Sequence, residues 1–215
     1  IAAAIDLDAT NLSLYNGKGP VPDRLFERSS PFYADVPLTR PDKELAQRLF
    51  DQLAAEGKRV SFTFTSQAST ESRIVAESVQ AQLGAFRNVD VKIRIIESAE
   101  TAAIYAKRDF QMLISSSLLA DPEPQLWTLF HSRSSGNLSG IDDARLNAAL
   151  DQGRRSTSLE ERKAAYRVVQ ERIAALVPVI YYTRAAPSVS TAPYVHGATQ
   201  YGFGSLLPEE LWTRR

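Results

Sequence analysis

Val60-Ser61-Phe62-Thr63-Phe64-Thr65 places apolar side chains at every second position, as a half-buried strand requires. The stretch after it, Ser66-Gln67-Ala68-Ser69, is a loop and helix start, and Ile74, Val75, Val79 and Leu83 then recur on one helical face until Gly84. Alternation returns in Val89-Asp90-Val91-Lys92-Ile93-Arg94-Ile95, followed by a short helix over residues 98–108 and an apolar strand, Phe110-Gln111-Met112-Leu113-Ile114. Strand, helix, strand, helix, strand at these lengths predicts parallel pairing through right-handed crossovers. The fold class expected is α/β, with a mostly parallel sheet flanked by helices.

Outward from this unit, residues 1–14 are helix-prone and Asn16-Gly17-Lys18-Gly19-Pro20 ends them with turn chemistry. Residues 21–40 carry Pro22, Pro31 and Pro37 without helical or strand period, which predicts a long loop anchored by Phe26, Phe32 and Tyr33. A helix opens at Pro41-Asp42, with Leu45, Leu49 and Leu53 repeating at four-residue spacing and Gly57 as its stop. Beyond the sheet, Asp121-Pro122-Glu123-Pro124 opens a short helix with Leu126, Trp127, Leu129 and Phe130. Asp142 is read as the cap of a further helix, and Ser158 with Glu161 as a capping box for the best helix of the chain. That helix is expected to turn Ala165, Val168, Val169, Ile173 and Leu176 inward, and Val177-Pro178-Val179-Ile180-Tyr181-Tyr182 to form a last strand.

Composition narrows the function classes. The 215 residues carry 25 basic and 25 acidic side chains, with no block of one sign. A nucleic-acid partner would call for a basic stripe, and a membrane-surface helix for a polybasic face. Neither is present in the sequence, so no nucleic acid and no direct membrane insertion is expected. Cysteine is absent, which removes thiolate ligands and thiol nucleophiles, and His131 and His196 lack metal-ligand spacing. No cofactor and no metal is expected. Phosphate-cradling glycine motifs and the Gly-x-Ser-x-Gly nucleophile elbow are missing as well. Ile1-Ala2-Ala3-Ala4-Ile5-Asp6 reads as the interior of a helix without a starting Met or cap, so the chain is expected to be a fragment.

The motif Asp109-Phe110-Gln111-Met112-Leu113-Ile114, then Ala120-Asp121-Pro122-Glu123-Pro124, resembles the family 5 solute-binding proteins, receptors of oligopeptide, dipeptide, nickel and glycoside importers. Other stretches agree in order: Ala4-Ile5-Asp6 with Leu14-Tyr15-Asn16-Gly17-Lys18-Gly19; Ser30-Pro31-Phe32-Tyr33 with Pro41-Asp42-Lys43; Asn137-Leu138-Ser139-Gly140-Ile141; and Glu161-Arg162 with Tyr166. The resemblance covers nearly the whole chain. It implies a periplasmic-binding-protein-like lobe over residues 1–190, the C-terminal lobe of two, with residues 191–215 returning toward a missing N-terminal lobe. It further implies a non-enzymatic receptor, extracytoplasmic (periplasmic or at the cell surface), that takes a small-molecule or peptide solute and delivers it to an ABC permease. A ligand-sensing module of the same fold fused to a regulator, or a hydrolase, are the alternatives.

In such receptors the loops at the carboxyl ends of the strands line the cleft, as in open α/β sheets generally. Here these are residues 65–69 and 115–121. Asp121 is the leading candidate: the resemblance implies that it pairs with a ligand's α-ammonium, while Asp before Pro is equally a helix cap. Ser116, Ser117 and Ser66 are candidate hydrogen-bonding groups, and Asn137 a candidate at the cleft rim. Ser115-Ser116-Ser117 stands where peptide receptors often carry Trp, which bears on peptide specificity.

Overall fold

Strand β1 (Val60–Gln67) sits at the centre of a three-stranded parallel sheet, between β2 (Val89–Ile96) and β3 (Met112–Leu113). The register is Val60 beside Val89 through Gln67 beside Ile96, and Phe64 beside Met112. In the computed structural model residues 1–185, 187–201 and 204–214 are described. They divide into two compact units, Ile1–Thr183 and Arg184–Arg215.

In the first unit the chain runs from a 3-10 turn (Ala2–Ala4) into α1 (Leu7–Tyr15) and, after a long loop, into α2 (Lys43–Ala55) ahead of β1. Helix α3 (Thr70–Gly84) crosses from β1 to β2, and α4 (Thr101–Lys107) from β2 to β3. Helices α5 (Gln125–Phe130), α6 (Ala144–Arg155) and α7 (Leu159–Leu176) follow. Two hydrophobic clusters result. One lies on the sheet, where Ala4, Ile5, Ala46, Phe50, Val75 and Leu83 cover β1 and β2. The other is helical, with Leu126, Phe130, Leu146, Leu150, Tyr166 and Ile173 closed over by Leu25, Phe26 and Phe32 of the long loop.

Several local expectations are revised. The N-terminal stretch is not one helix: Asp6 is extended and its carboxylate caps α1 by accepting the Asp8 and Ala9 N–H groups, each at 3.1 Å. Helix α2 buries Ala46 and Phe50, and it leaves Leu45, Leu49 and Leu53 exposed. Strand β3 is only two residues long. At the position before it the Gln111 side chain, not its backbone, accepts the Thr63 N–H at 2.8 Å. The cap of α6 is Asp143, which accepts the Leu146 N–H at 2.7 Å, while Asp142 accepts the Asn147 side-chain amide. Ser158 stands at the N-cap of α7 but makes no side-chain cap bond. A capping box does form between Glu97 and Glu100, ahead of α4.

The last expected strand is absent. Val177 takes a left-handed conformation and Pro178 has no N–H to donate, so no ladder forms over residues 177–182. The segment still alternates: Ile180 and Tyr182 pack on the sheet cluster, Tyr181 on the helical one.

Within the second unit, β4 (Val195–His196) pairs antiparallel with β7 (Trp212–Thr213), and β5 (Gln200–Tyr201) with β6 (Ser205–Leu206). The His196 ring stacks on Trp212 at 4.2 Å. Gly197 has φ +76°, and a β-carbon there would collide with the Glu210 carbonyl.

Candidate functional site

Parallel strands present their carboxyl ends at one edge of the sheet, and β1 and β3 are neighbours. That edge carries Ser66 and the segment 115–121. Ser66 is buried, and its hydroxyl reaches only the adjacent Gln67 carbonyl at 3.4 Å. Ser116 and Ser117 are exposed. Among the described residues no hydrogen bond joins these serines to Asp121.

Asp121 lies at the end of the same segment and is half-exposed. Its Oδ1 accepts the Glu123 N–H at 2.8 Å, a turn bond, and Arg162 Nη2 of α7 at 2.5 Å. Both contacts use one oxygen. Arg162 is held from behind, its guanidinium 4.9 Å from the Phe32 ring centroid and 5.8 Å from that of Tyr166. The hydrogen bond to Asp121 raises the Arg162 pKa above its ordinary value. Glu123, two residues on, pairs with Arg154 Nε at 3.2 Å, and Arg154 lies over Trp127 at 4.7 Å. Burial pushes the Glu123 carboxyl up, and Arg154 opposes it. Glu123 Oε2 and the Tyr166 hydroxyl are both buried without a hydrogen-bond partner within standard geometry. Burial holds the Tyr166 hydroxyl up at about 12.

Two carboxylates and two guanidiniums therefore meet where the segment 115–124 runs onto α6 and α7. The glycine that permits this is Gly153: a β-carbon there would stand 2.6 Å from Tyr166 Cζ. Sequence reading singled out Asp121 but missed its partners. Arg162 is 41 positions away, and no periodicity reports a contact of that span.

Asn137 is placed elsewhere and its amide is engaged. It donates to the carbonyls of Ile141 at 2.8 Å and His131 at 3.4 Å, and it accepts from the Ser139 hydroxyl at 2.9 Å. Its own carbonyl accepts from Arg108 at 2.6 Å. The loop 131–141 is built around this side chain. His131 is also buried and engaged on both nitrogens: Nδ1 accepts the Arg133 N–H at 3.1 Å, and Nε2 lies 3.4 Å from Asp151. Asp151 is held below the ordinary carboxylate range, first by the Trp127 indole N–H that donates to it.

A shallow depression opens elsewhere, lined by Ile5, Pro22, Leu38, Ile173, Val179 and Tyr181 among others. Its lining residues are mostly apolar, with backbone polar groups among them, and none belongs to the charged cluster. No group of three acidic or histidine side chains suited to a metal occurs among the described residues. No helix among them is long and apolar enough to cross a membrane.

Comparison with known proteins gives a consistent picture. Protein XP55 of Streptomyces lividans is 27% identical over 196 residues, covering 80% of this chain and 34% of that protein. The oligopeptide-binding protein AppA from Bacillus subtilis, solved with a nonapeptide, superposes with a TM-score of 0.81 at 17% identity. That match covers 100% of this chain and 46% of AppA. A peptide-binding protein of a peptide ABC transporter superposes with a TM-score of 0.71 at 20% identity, covering 85% of this chain and 87% of that one. The chain thus spans about a third of the curated relative it matches. The family model for the middle part of bacterial extracellular solute-binding proteins, family 5, matches residues 1–137, well over half of the chain. On that match the chain belongs to the bacterial extracellular solute-binding proteins of family 5.

Proposed function

We propose that this chain is one lobe of an extracytoplasmic solute receptor that takes peptide-type ligands and presents them to an ABC permease. The observation that carries the reading is Asp121. It stands on the segment leaving the carboxyl end of β3, half-exposed, with both of its contacts on Oδ1. A carboxylate so placed has an oxygen left for a charge-assisted bond to an ammonium group. Ser116 and Ser117 flank it as exposed hydroxyls on the same segment, and Ser66 lies at the same edge of the sheet. Asn137 holds the loop 131–141 through its side-chain amide.

Peptide-binding proteins among the solved relatives favour peptides as the solute class. A binding role rather than catalysis accords with His131, whose two ring nitrogens are already engaged. Hinge closure supplies the physics: a ligand that touches two lobes stabilises the closed state by its differential contacts. Residues 1–190 serve as the lobe and residues 191–215 as the return toward its partner.

The test is a thermal-shift screen of the full polypeptide carrying this chain against di-, tri- and oligopeptides, nickel complexes and oligosaccharides. Binding to the native state raises the melting temperature by mass action. A peptide-dependent rise that Asp121→Ala removes is the expected result. A rise with sugars or nickel complexes alone rejects the peptide class.

A further inference from the structure

We propose that Arg162 is a built-in counter-ion of Asp121 that lowers the affinity of this site for ammonium groups, and so selects ligands by what else they offer. The inference rests on the reading of Asp121 as the ammonium-binding residue.

Arg162 does not depend on Asp121 for its place. Its guanidinium packs against the rings of Phe32 and Tyr166, which meet each other edge-on, its side chain is three-quarters buried, and α7 carries it in its first turn. Asp121 is likewise independently oriented, since the Glu123 N–H fixes Oδ1. Each partner is therefore preset, and the ion pair joins two groups that would stay where they are without it. What the pair changes is charge. Asp121 and Glu123 are matched by Arg162 and Arg154, so the cluster sums to zero.

An ammonium approaching Oδ2 meets a carboxylate whose field is largely cancelled by a guanidinium one oxygen away. Two cations must then share one carboxylate, and their mutual repulsion is part of the binding equilibrium. At separations of about 6 Å and an effective dielectric between those of protein surface and water, that repulsion is worth roughly tenfold in affinity. A ligand held by its ammonium alone is disfavoured, and one that adds backbone or side-chain contacts is not.

The experiment is calorimetric titration of the full polypeptide, as wild type and as Arg162→Gln, Arg162→Lys and Asp121→Asn. The probes are two tripeptide mixtures, one with free and one with acetylated amino ends. Circular dichroism melts establish that each variant is folded. Arg162→Gln should bind the free-amino mixture about tenfold more tightly, Arg162→Lys should match wild type, and Asp121→Asn should lose the preference for a free amino end. Arg162→Gln binding more weakly than wild type, or unchanged, while Asp121→Asn still loses that preference, overturns the counter-ion role and leaves the Asp121 reading intact. Equal binding of both mixtures by wild type and Asp121→Asn, or no binding by any form, removes the Asp121 reading and this proposal with it.

Discussion

Arg162 and Asp121 stand 41 positions apart in sequence, and the 2.5 Å contact between them joins the segment after β3 to the first turn of α7. Both residues belong to stretches that resemble family motifs, so two such stretches meet in the fold. The pair is part-exposed, and ion pairs of that kind contribute only about 0.2–1 kcal/mol to stability. In the site proposed above, its role is charge rather than folding energy.

Folding energy at this junction depends on the fit of Tyr166 against Gly153. Replacing Gly153 by Ala puts a β-carbon 2.6 Å from Tyr166 Cζ, inside a helix pair with no slack. Overpacking of this kind costs about 1–3 kcal/mol. Gly84 is the control: it ends α3 with nothing within 4 Å of the position a β-carbon would take. Gly84→Ala should be neutral or stabilise by about 0.4–1 kcal/mol, through the unfolded chain. Urea denaturation is expected to lower the midpoint of Gly153→Ala and to leave that of Gly84→Ala at or above wild type, and equal midpoints would refute the packing argument.

Helix α2 yields a second contrast. Phe50 is 3% exposed and meets Phe86 edge-on at 5.5 Å, whereas Leu49 beside it is 45% exposed. Phe50→Ala should lose about 3–5 kcal/mol. Leu49→Lys should stay within about 0.5 kcal/mol, although it replaces the larger apolar-to-charged difference. The reverse ranking would mean that the leucine stripe is the buried face.

That helix also shows why part of the fold was legible in the sequence and part was not. Alternation in β1 and β2 reports burial directly, because a strand has only two faces and one of them packs on α3. In α2 two neighbouring apolar rows compete: Leu45, Leu49 and Leu53 form one, Ala46 and Phe50 the other. Periodicity establishes that a helix forms but cannot say which row meets the sheet. Asp121 was readable because Ala-Asp-Pro-Glu-Pro is local. Its neutralisation by Arg162 was not, because tertiary packing of Phe32, Tyr166 and Gly153 sets it. The same limit applies to the last expected strand, where an apolar run was visible but the left-handed Val177 was not.

Asp143 carries the prediction that depends on pH. Its carboxylate caps α6 through the Leu146 N–H at 2.7 Å and grips Arg172 of α7 through two contacts, at 3.1 and 2.7 Å. The bonds from Arg172, then the one from Leu146, hold its pKa below the ordinary 3.8. A carboxyl with a depressed folded-state pKa contributes stability above its unfolded value and loses it as the pH falls through the folded one. The contribution should therefore be complete at neutral pH and vanish in the window below 3.8. Asp143→Asn lacks the charge at every pH. Its melting temperature should lie on the order of 2–4 °C below wild type near neutrality, and the two curves should converge as the pH falls below 3.8. Melting curves over that range decide it: a gap that stays constant with pH would assign the effect to the cap bond alone and exclude the Arg172 ion pair as its source.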